Sequence, residues 1–255
     1  MADSDKAGHT FLASLGKTRL RPGGVEATEW LFSQAQLNAH SRVLEVACNM
    51  ATTSIELVQR FGCIVDAIDM DKNALAQARQ NVISAGLESH IHLSEANANK
   101  LPFDDNTFDV VVNEAMLTMY VDKVKAKLIS EYYRVLKPGG RLLTHDIMFM
   151  RSGLPTDNQA KLEQVVKSNV SPMTEAAWKT LFIDNGFAAV DTRHGAMSLM
   201  SPVGLIRDEG FERALRIVVN GLRTRDNRTR FLGMFRFFRA NRRQLNYIAC
   251  CSRKA

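Results

Sequence analysis

The stretch VLEVACNMATTSIELV, residues 43–58, followed by IVDAIDMD at 64–71, constrains the fold more than any other part of the chain. Val43, Leu44 and Val46 make an apolar run of the kind that a parallel strand buried on both faces requires. Ala47–Ala51 reads as a turn, built of small or turn-tolerant residues except Met50. Thr52, Thr53 or Ser54 stands where a hydroxyl caps a helix, and Ile55, Leu57, Val58 and Phe61 are that helix's apolar positions. A second apolar strand, Cys63–Ile68, ends at Asp69, 24 positions after Glu45. Strand, turn, helix and strand, each strand with an acidic residue at or near its end, is a nucleotide-binding βαβ layout. In it the helix N-terminus faces the ligand and the second carboxylate takes ribose hydroxyls. A pyrophosphate-binding turn carries G-x-G-x-x-G so that the backbone can approach the phosphates. Here Ala47, Asn49 and Ala51 occupy the corresponding places. The turn argues against a dinucleotide and for an adenosine ligand without phosphate.

Downstream, Asn73–Ala85 is helical in pattern, with Leu75, Ala78 and Val82 on one face and Gly86 as its stop. Ile91–Leu93 begins a third strand, and Phe108–Val112 is a fourth after a turn around Asp104–Asn106. Lys125–Val135 is helical, with Leu128, Ile129, Tyr132 and Val135 as its buried stripe. A Pro-Gly-Gly turn then leads into a fifth apolar strand ending near Met150. Residues 171–187 read as a capped helix, Ala188 to about Arg193 as a strand, and Leu245–Arg253 as the closing strand. A chain of 255 residues, 45% apolar, can build one large core or a core with a small cap. Nothing approaches the 18 or more consecutive apolar residues of a membrane span. The opening MADSDKAGHT has no apolar run of the secretory type, so no leader is expected. Cys48, Cys63, Cys250 and Cys251 lack metal-ligand spacing and fit buried reduced thiols, which predicts no metal and a cytoplasmic location.

Four segments between residues 42 and 150 resemble, in order and spacing, the class I S-adenosylmethionine-dependent methyltransferases. Glu45–Ala51 resembles the E/D-x-G-x-G-x-G turn that meets the methionine part of the cofactor, with alanine and asparagine in place of the glycines. Asp69, with Met70 beside it, matches the acid that holds the ribose. NANKLPFDDNTFDVVV (97–112) is similar to D-A-x-x-L-P-F-x-D-x-x-F-D-x-V, with Asn97 in place of the aspartate that accepts from the adenine amino group. RVLKPGGRLL (134–143) matches the family's downstream signature. The resemblance implies a three-layer α/β sandwich, with a seven-stranded, mostly parallel sheet whose last strand is antiparallel. It implies a cofactor site at Glu45, Ala47, Cys48, Asn49, Asp69, Met70, Asn97, Ala98 and Asn113. The expected organisation is a single domain: an N-terminal arm (1–36), a cofactor-binding core (37–200), a helical insertion (201–244) and the closing strand (245–255).

Candidates for a general base lie at the C-terminal ends of strands, where open α/β sheets place ligands. Glu114 and His145 are the expected catalytic residues, with Asp146 and His194 also at strand ends. Adenine-methylating members carry Asn/Asp-Pro-Pro-Tyr after the fourth strand. Asn113-Glu114-Ala115-Met116 stands there instead, which disfavours base-flipping chemistry. Methionines 116, 119, 148, 150, 197 and 200 could line an adaptable pocket or fill the core. Residues 207–243 hold eleven arginines against four acids, a net +7 where the whole chain carries +6. Such a segment is either a solvated amphipathic helix pair or an anion-recognising surface. Lys17, Arg19 and Arg21 add a basic arm expected to fold over an anionic or amphipathic acceptor together with the insertion. The expected reaction is methyl transfer to a small molecule. The alternatives are an RNA or protein acceptor, and a non-catalytic cofactor-binding module.

Overall fold

The computed structural model describes residues 7–150 and 156–255. The chain runs α1 (Gly8–Ser14), α2 (Gly24–Ala35), β1 (Arg42–Val46), α3 (Thr52–Phe61), β2 (Ile64–Asp69), α4 (Lys72–Ala85), β3 (Ile91–Glu95) and β4 (Phe108–Glu114). A 3₁₀ turn at Leu117–Met119 precedes α5 (Asp122–Val135), β5 (Leu136–Phe149), α6 (Thr156–Val166), β6 (Met173–Thr174), α7 (Glu175–Asp184) and β7 (Ala189–Ala196). Then come α8 (Pro202–Glu209), α9 (Phe211–Arg223), α10 (Arg225–Ala240) and β8 (Leu245–Arg253). The sheet order is β3-β2-β1-β4-β5-β8-β7, with the two-residue β6 joining β5. β8 is antiparallel to both β5 and β7, whereas β1 to β5 pair in parallel. The seven expected strands are thus the seven of the main order, and β6 is an eighth.

Both faces of the sheet are covered, which is why its central strands are continuously apolar. Val43, Val65, Ala67, Val110 and Val112 pack under α2, α3 and α4, while Leu44, Val46, Ile68, Val111 and Leu142 pack under α5 and α7. Phe103 and Phe108 meet edge to face in the second of these layers, ring centroids 5.0 Å apart. A third cluster lies outside the sheet: Phe11 and Leu12 of α1 and Leu15 just after it pack with Ile217, Phe231, Met234 and Phe238 of the insertion. Two short helices, α1 and α6, have no counterpart in the sequence reading. α1 joins the arm to the insertion through that third cluster.

Local chemistry explains most boundaries. The Asp71 carboxylate caps α4, accepting from the Asn73 and Ala74 N–H groups. The Thr174 and Ser201 hydroxyls cap α7 and α8. α3 departs from expectation, because none of Thr52, Thr53 and Ser54 caps it. Its N-cap is Ala51, in the left-handed region at φ 58°. The Thr53 and Ser54 hydroxyls instead bond Glu114 and Glu45. The Pro-Gly-Gly segment bulges out of β5, since Phe108 pairs with Leu136 but Val110 already pairs with Arg141. A Cβ on Gly140 would lie 2.8 Å from the Lys137 carbonyl oxygen, so only glycine fits that bulge.

Candidate active site

The turn after β1 keeps a glycine-like path without glycine. Ala47, Asn49 and Ala51 have φ of 59°, 49° and 58°, all left-handed. Each non-glycine residue held there costs on the order of 1 kcal/mol, strain of the kind that clusters at binding sites. The surroundings hold it in place. The Cys48 N–H donates to the Ile68 carbonyl at 3.0 Å, and the Asn49 N–H to Asp69 Oδ2 at 2.9 Å. Asn81 Nδ2 donates to the Met50 carbonyl at 2.9 Å. Ala47→Gly is therefore expected to stabilise the protein by about 0.5–1 kcal/mol, a rise of roughly 2 °C in Tm by calorimetry. Ala51→Gly should come out near neutral, because it also deletes a methyl that is fully buried.

Asp69 closes β2 beside this turn. Its second oxygen accepts the Asp71 N–H at 2.9 Å, and each carboxylate oxygen keeps a lone pair for a further donor. Glu45, one strand away, is buried and accepts from the Ser54 hydroxyl. Burial pushes its carboxyl up to about 7 against the opposing pull of that hydrogen bond. Asp146, inside the C-terminal part of β5, is likewise pushed up to about 6 by burial, although its oxygens accept the Thr118 and Leu117 N–H groups at 3.0 and 3.3 Å. Both carboxyls bind protons more tightly folded than unfolded, so stability falls as pH rises from about 5 through 7. Tm should be higher at pH 5 than at pH 7.5. Glu45→Gln should remove a share worth on the order of 3 kcal/mol at full ionisation and flatten the profile.

Glu114 and His145 meet, but in a closed network. Glu114 Oε1 accepts from the Thr28 hydroxyl at 3.1 Å and from His145 Nδ1 at 3.0 Å. Its Oε2 accepts from Arg21 at 2.6 Å and from the Thr53 hydroxyl at 2.9 Å. Burial alone would raise this carboxyl, yet the Arg21 guanidinium and the His145 and Thr53 bonds hold it well below the usual carboxylate range. His145 Nε2 accepts the Gly23 N–H at 2.8 Å, which fixes the ring proton on Nδ1 and leaves no free nitrogen. A carboxylate with four donors and a histidine with both nitrogens engaged are poorly placed to take a substrate proton. Gly23 is required by this packing, since a Cβ there would lie 2.6 Å from the Tyr247 ring.

A cavity of about 310 Å³ opens at the C-terminal ends of β1, β2, β4 and β5. Of the residues expected to bind the cofactor, Glu45, Ala47, Cys48, Asn49 and Asp69 line it, and so does Glu114, expected to be catalytic. Met70, Asn97, Ala98, Asn113 and His145 do not. Asn113 is corrected most clearly: its side chain turns into the sheet, where Nδ2 donates to the Val46 carbonyl at 3.1 Å and ties β4 to β1. Asn97 is exposed and its Oδ1 accepts the Asn99 N–H at 2.9 Å, closing a local turn. That segment still adjoins Asp69, whose carbonyl accepts the Ala96 N–H at 3.2 Å, and Met70 beside it is 63% exposed. His194 lies away from the cavity, 3.6 Å from Glu175. Of the methionines, 116 and 119 line the cavity and 148 and 200 are core.

Several lining residues had no local signal in the sequence. α1 brings His9 and Leu12 to the cavity, the following loop brings Thr18, Leu20 and Arg21, and α10 brings Met234 and Phe238. The basic residues of the arm, expected to close over an anionic or amphipathic acceptor, are instead paired with the protein's own carboxylates. Lys17 is buried 3.5 Å from Glu209, Arg19 pairs with Glu56 at 2.7 Å and Arg21 with Glu114 at 2.6 Å. Gly24 seals the arm against α8, its Cα so close to Asp208 that a Cβ would collide with that carboxylate. The Val25 N–H donates to the same group at 3.0 Å. The first six residues of the expected arm lie outside the described residues.

Comparison with known proteins places this geometry. Residues 43–140 match the family described as methyltransferase domain. An uncharacterised protein of Haemophilus influenzae is 49% identical over 98% of this chain and 99% of its own length. Methyltransferase GfsG of Streptomyces halstedii is 33% identical over 51% of this chain, a match that spans 46% of that protein. Among solved structures, Haemonchus contortus phosphoethanolamine N-methyltransferase 2 in complex with S-adenosyl-L-methionine superposes with a TM-score of 0.77 at 17% identity. The superposition covers 96% of this chain and 57% of that one, and identity this low speaks for the fold alone.

Proposed function

The chain belongs to the class I S-adenosylmethionine-dependent methyltransferases, and on that premise we propose that it methylates a small molecule with an apolar body and a neutral or cationic polar head. The residues present fit the cofactor. The turn at Ala47–Ala51 follows a left-handed, glycine-like path beside the cavity, which Ala47, Cys48, Asn49 and Met50 line, and Asp69 has acceptor capacity for two ribose hydroxyls. In this reading Glu45 and the turn border the methionine end, and Asp69 holds the ribose. Exposed Met70 and Asn97, outside the cavity lining but next to Asp69 in the chain or across β2, would flank the adenine. When bound, the cofactor supplies a methyl group activated by its sulfonium. The protein's task is then to align an acceptor and exclude water.

The observation that carries the acceptor class is the charge of the cavity wall. Five acids line it: Glu45, Asp69, Asp71, Glu114 and Asp146. The only basic side chains among the described lining residues are Arg21, already paired with Glu114, and His9, which burial pushes below its usual range. An anionic head would meet no unpaired cation there. The uncharged part of the wall is mixed: Leu12, Leu20, Ile147, Leu199, Met234 and Phe238 give it an apolar body, with Thr18, Thr118 and Ser168 among its polar members. Asp146 then hydrogen-bonds the acceptor's hydroxyl or amine and, with its raised carboxyl near neutrality, suits proton transfer. Glu114 and His145 act as positioning residues that clamp the arm onto the sheet. None of the arginines of residues 207–243 lines the cavity, which weighs against an RNA acceptor at this site.

Methyl-labelled S-adenosylmethionine offered with apolar amines and phenols, and with their phosphorylated analogues, tests this reading. Label should pass to the unphosphorylated compounds. Asp146→Asn should lower kcat/KM by about a hundredfold or more with cofactor affinity retained. Preferential labelling of phosphorylated acceptors or of RNA would overturn the assignment.

A further inference from the structure

The outer face of the insertion carries features that methyl transfer does not use. Phe211, Leu215, Val219 and Leu222 of α9 are 40–67% exposed. They fall at i, i+4, i+8 and i+11, one stripe along the helix. Val203 and Ile206 of α8 are also exposed. The opposite side of α9, through Ala214, Ile217 and Gly221, is buried against the third cluster and the Phe231 ring. The helix is therefore apolar both inward and outward, a pattern that marks an interaction surface when the outward stripe is contiguous.

The same insertion carries an excess of exposed positive charge, with Glu212 on α9 and Asp226 on α10 as the exposed acids of these two helices. Arg216 and Arg223 border the stripe on α9. Arg225, Arg228, Arg236 and Arg239 share one outward arc of α10, whose inward arc is Phe231, Met234 and Phe238. Arg242 and Arg243 follow. All eight are exposed, and none forms an ion pair with a described residue, whereas Arg207 and Arg213 pair with Glu26 and Glu209.

We propose that α8, α9 and α10 form a docking surface for an anionic lipid bilayer, with the α9 stripe in the headgroup–acyl boundary and the arginines on lipid phosphates. An apolar stripe flanked by arginines is what an interfacial helix needs, since each part supplies a contribution the other lacks. A second copy of the chain fits less well, because symmetric pairing across the stripe would bring both sets of unpaired arginines together. RNA would engage the arginines and leave Phe211, Leu215, Val219 and Leu222 in water. The same insertion walls the cavity through Met234 and Phe238, so docking would set the cavity's cover against the membrane. The surface stands on its own geometry and does not depend on the proposed acceptor.

Co-sedimentation of the full chain with vesicles of phosphatidylcholine alone, and of phosphatidylcholine with phosphatidylglycerol, tests it. The protein should pellet with the anionic vesicles about tenfold or more tightly than with the neutral ones. Two exposed double variants, Phe211→Glu with Leu215→Glu and Arg236→Glu with Arg239→Glu, should each weaken that binding by about tenfold or more while unaltered circular dichroism and Tm show the fold kept. Three results would overturn the proposal. The protein could remain in the supernatant with anionic vesicles. Binding could depend on the arginines and be indifferent to the stripe, which would indicate unspecific attraction to any polyanion. Sedimentation equilibrium could show a dimer that Phe211→Glu with Leu215→Glu dissociates, with no vesicle binding, which would assign the stripe to a second copy.

Discussion

Asp69→Ala is expected to weaken S-adenosylmethionine binding by roughly thirty- to a thousandfold, about 2–4 kcal/mol. The carboxylate sits at the end of β2 on the cavity wall, and its oxygens already accept the Asn49 and Asp71 N–H groups. Those two bonds aim the remaining lone pairs and pin the left-handed turn. Alanine thus removes the charged acceptor for the ribose and also releases the Asn49 N–H that anchors the turn. Asp69→Asn should lose less, since one acceptor oxygen remains while the charge goes. Asp71 has a different role, its Oδ1 occupied by the Asn73 and Ala74 N–H groups at 2.8 and 3.2 Å. Asp71→Ala should cost about 1 kcal/mol of stability as a lost helix cap, with little change in affinity. Titration calorimetry separates the three variants, and near-native affinity in Asp69→Ala would remove Asp69 from the site.

The second large effect concerns folding. Arg21→Met and Glu114→Gln should each lower stability by about 3–5 kcal/mol in urea unfolding, because each strands a buried charge or its donors. That is a large fraction of the whole stability of a typical domain. The double variant should lose clearly less than the two singles combined, since removing both charges leaves neither one stranded. Should Glu114→Gln keep full stability and lose only turnover, Glu114 would return to the catalytic role that its position at the end of β4 suggests.

The sheet was legible because its signals are local. Apolar runs at β1, β2, β4 and β5, the Gly86 stop and the Pro-Gly-Gly segment each announce themselves within a few residues, although the sequence reading placed a turn where the structure has a bulge inside β5 and did not read Asp71 as the cap of α4. The turn at Ala47–Ala51 was half legible: its place was clear, but a left-handed path without glycine cannot be read from alanine, whose own preference is right-handed. The closed network at Glu114 was not legible at all. Its partners Arg21 and Thr28 lie 93 and 86 positions away, and Gly23 is 122 from His145. Nothing near Glu114 distinguishes a saturated carboxylate from a free one. Asp146 shows the converse, an acid inside β5 that the fold brings to the cavity wall. The arm misled for a related reason. Lys17, Arg19 and Arg21 look like a free basic segment until Glu209, Glu56 and Glu114 fold against them.

Titration of the wild-type chain with S-adenosylmethionine and with S-adenosylhomocysteine tests the central claim most directly, that a glycine-free turn and Asp69 together form a working cofactor site. Both ligands should bind at a single site with micromolar affinity, and Ala47→Gly should bind them equally well, because its backbone already follows the ligand-accepting path. Absence of binding heat for both ligands with folded wild-type protein would contradict the claim and leave the chain a methyltransferase fold without its cofactor.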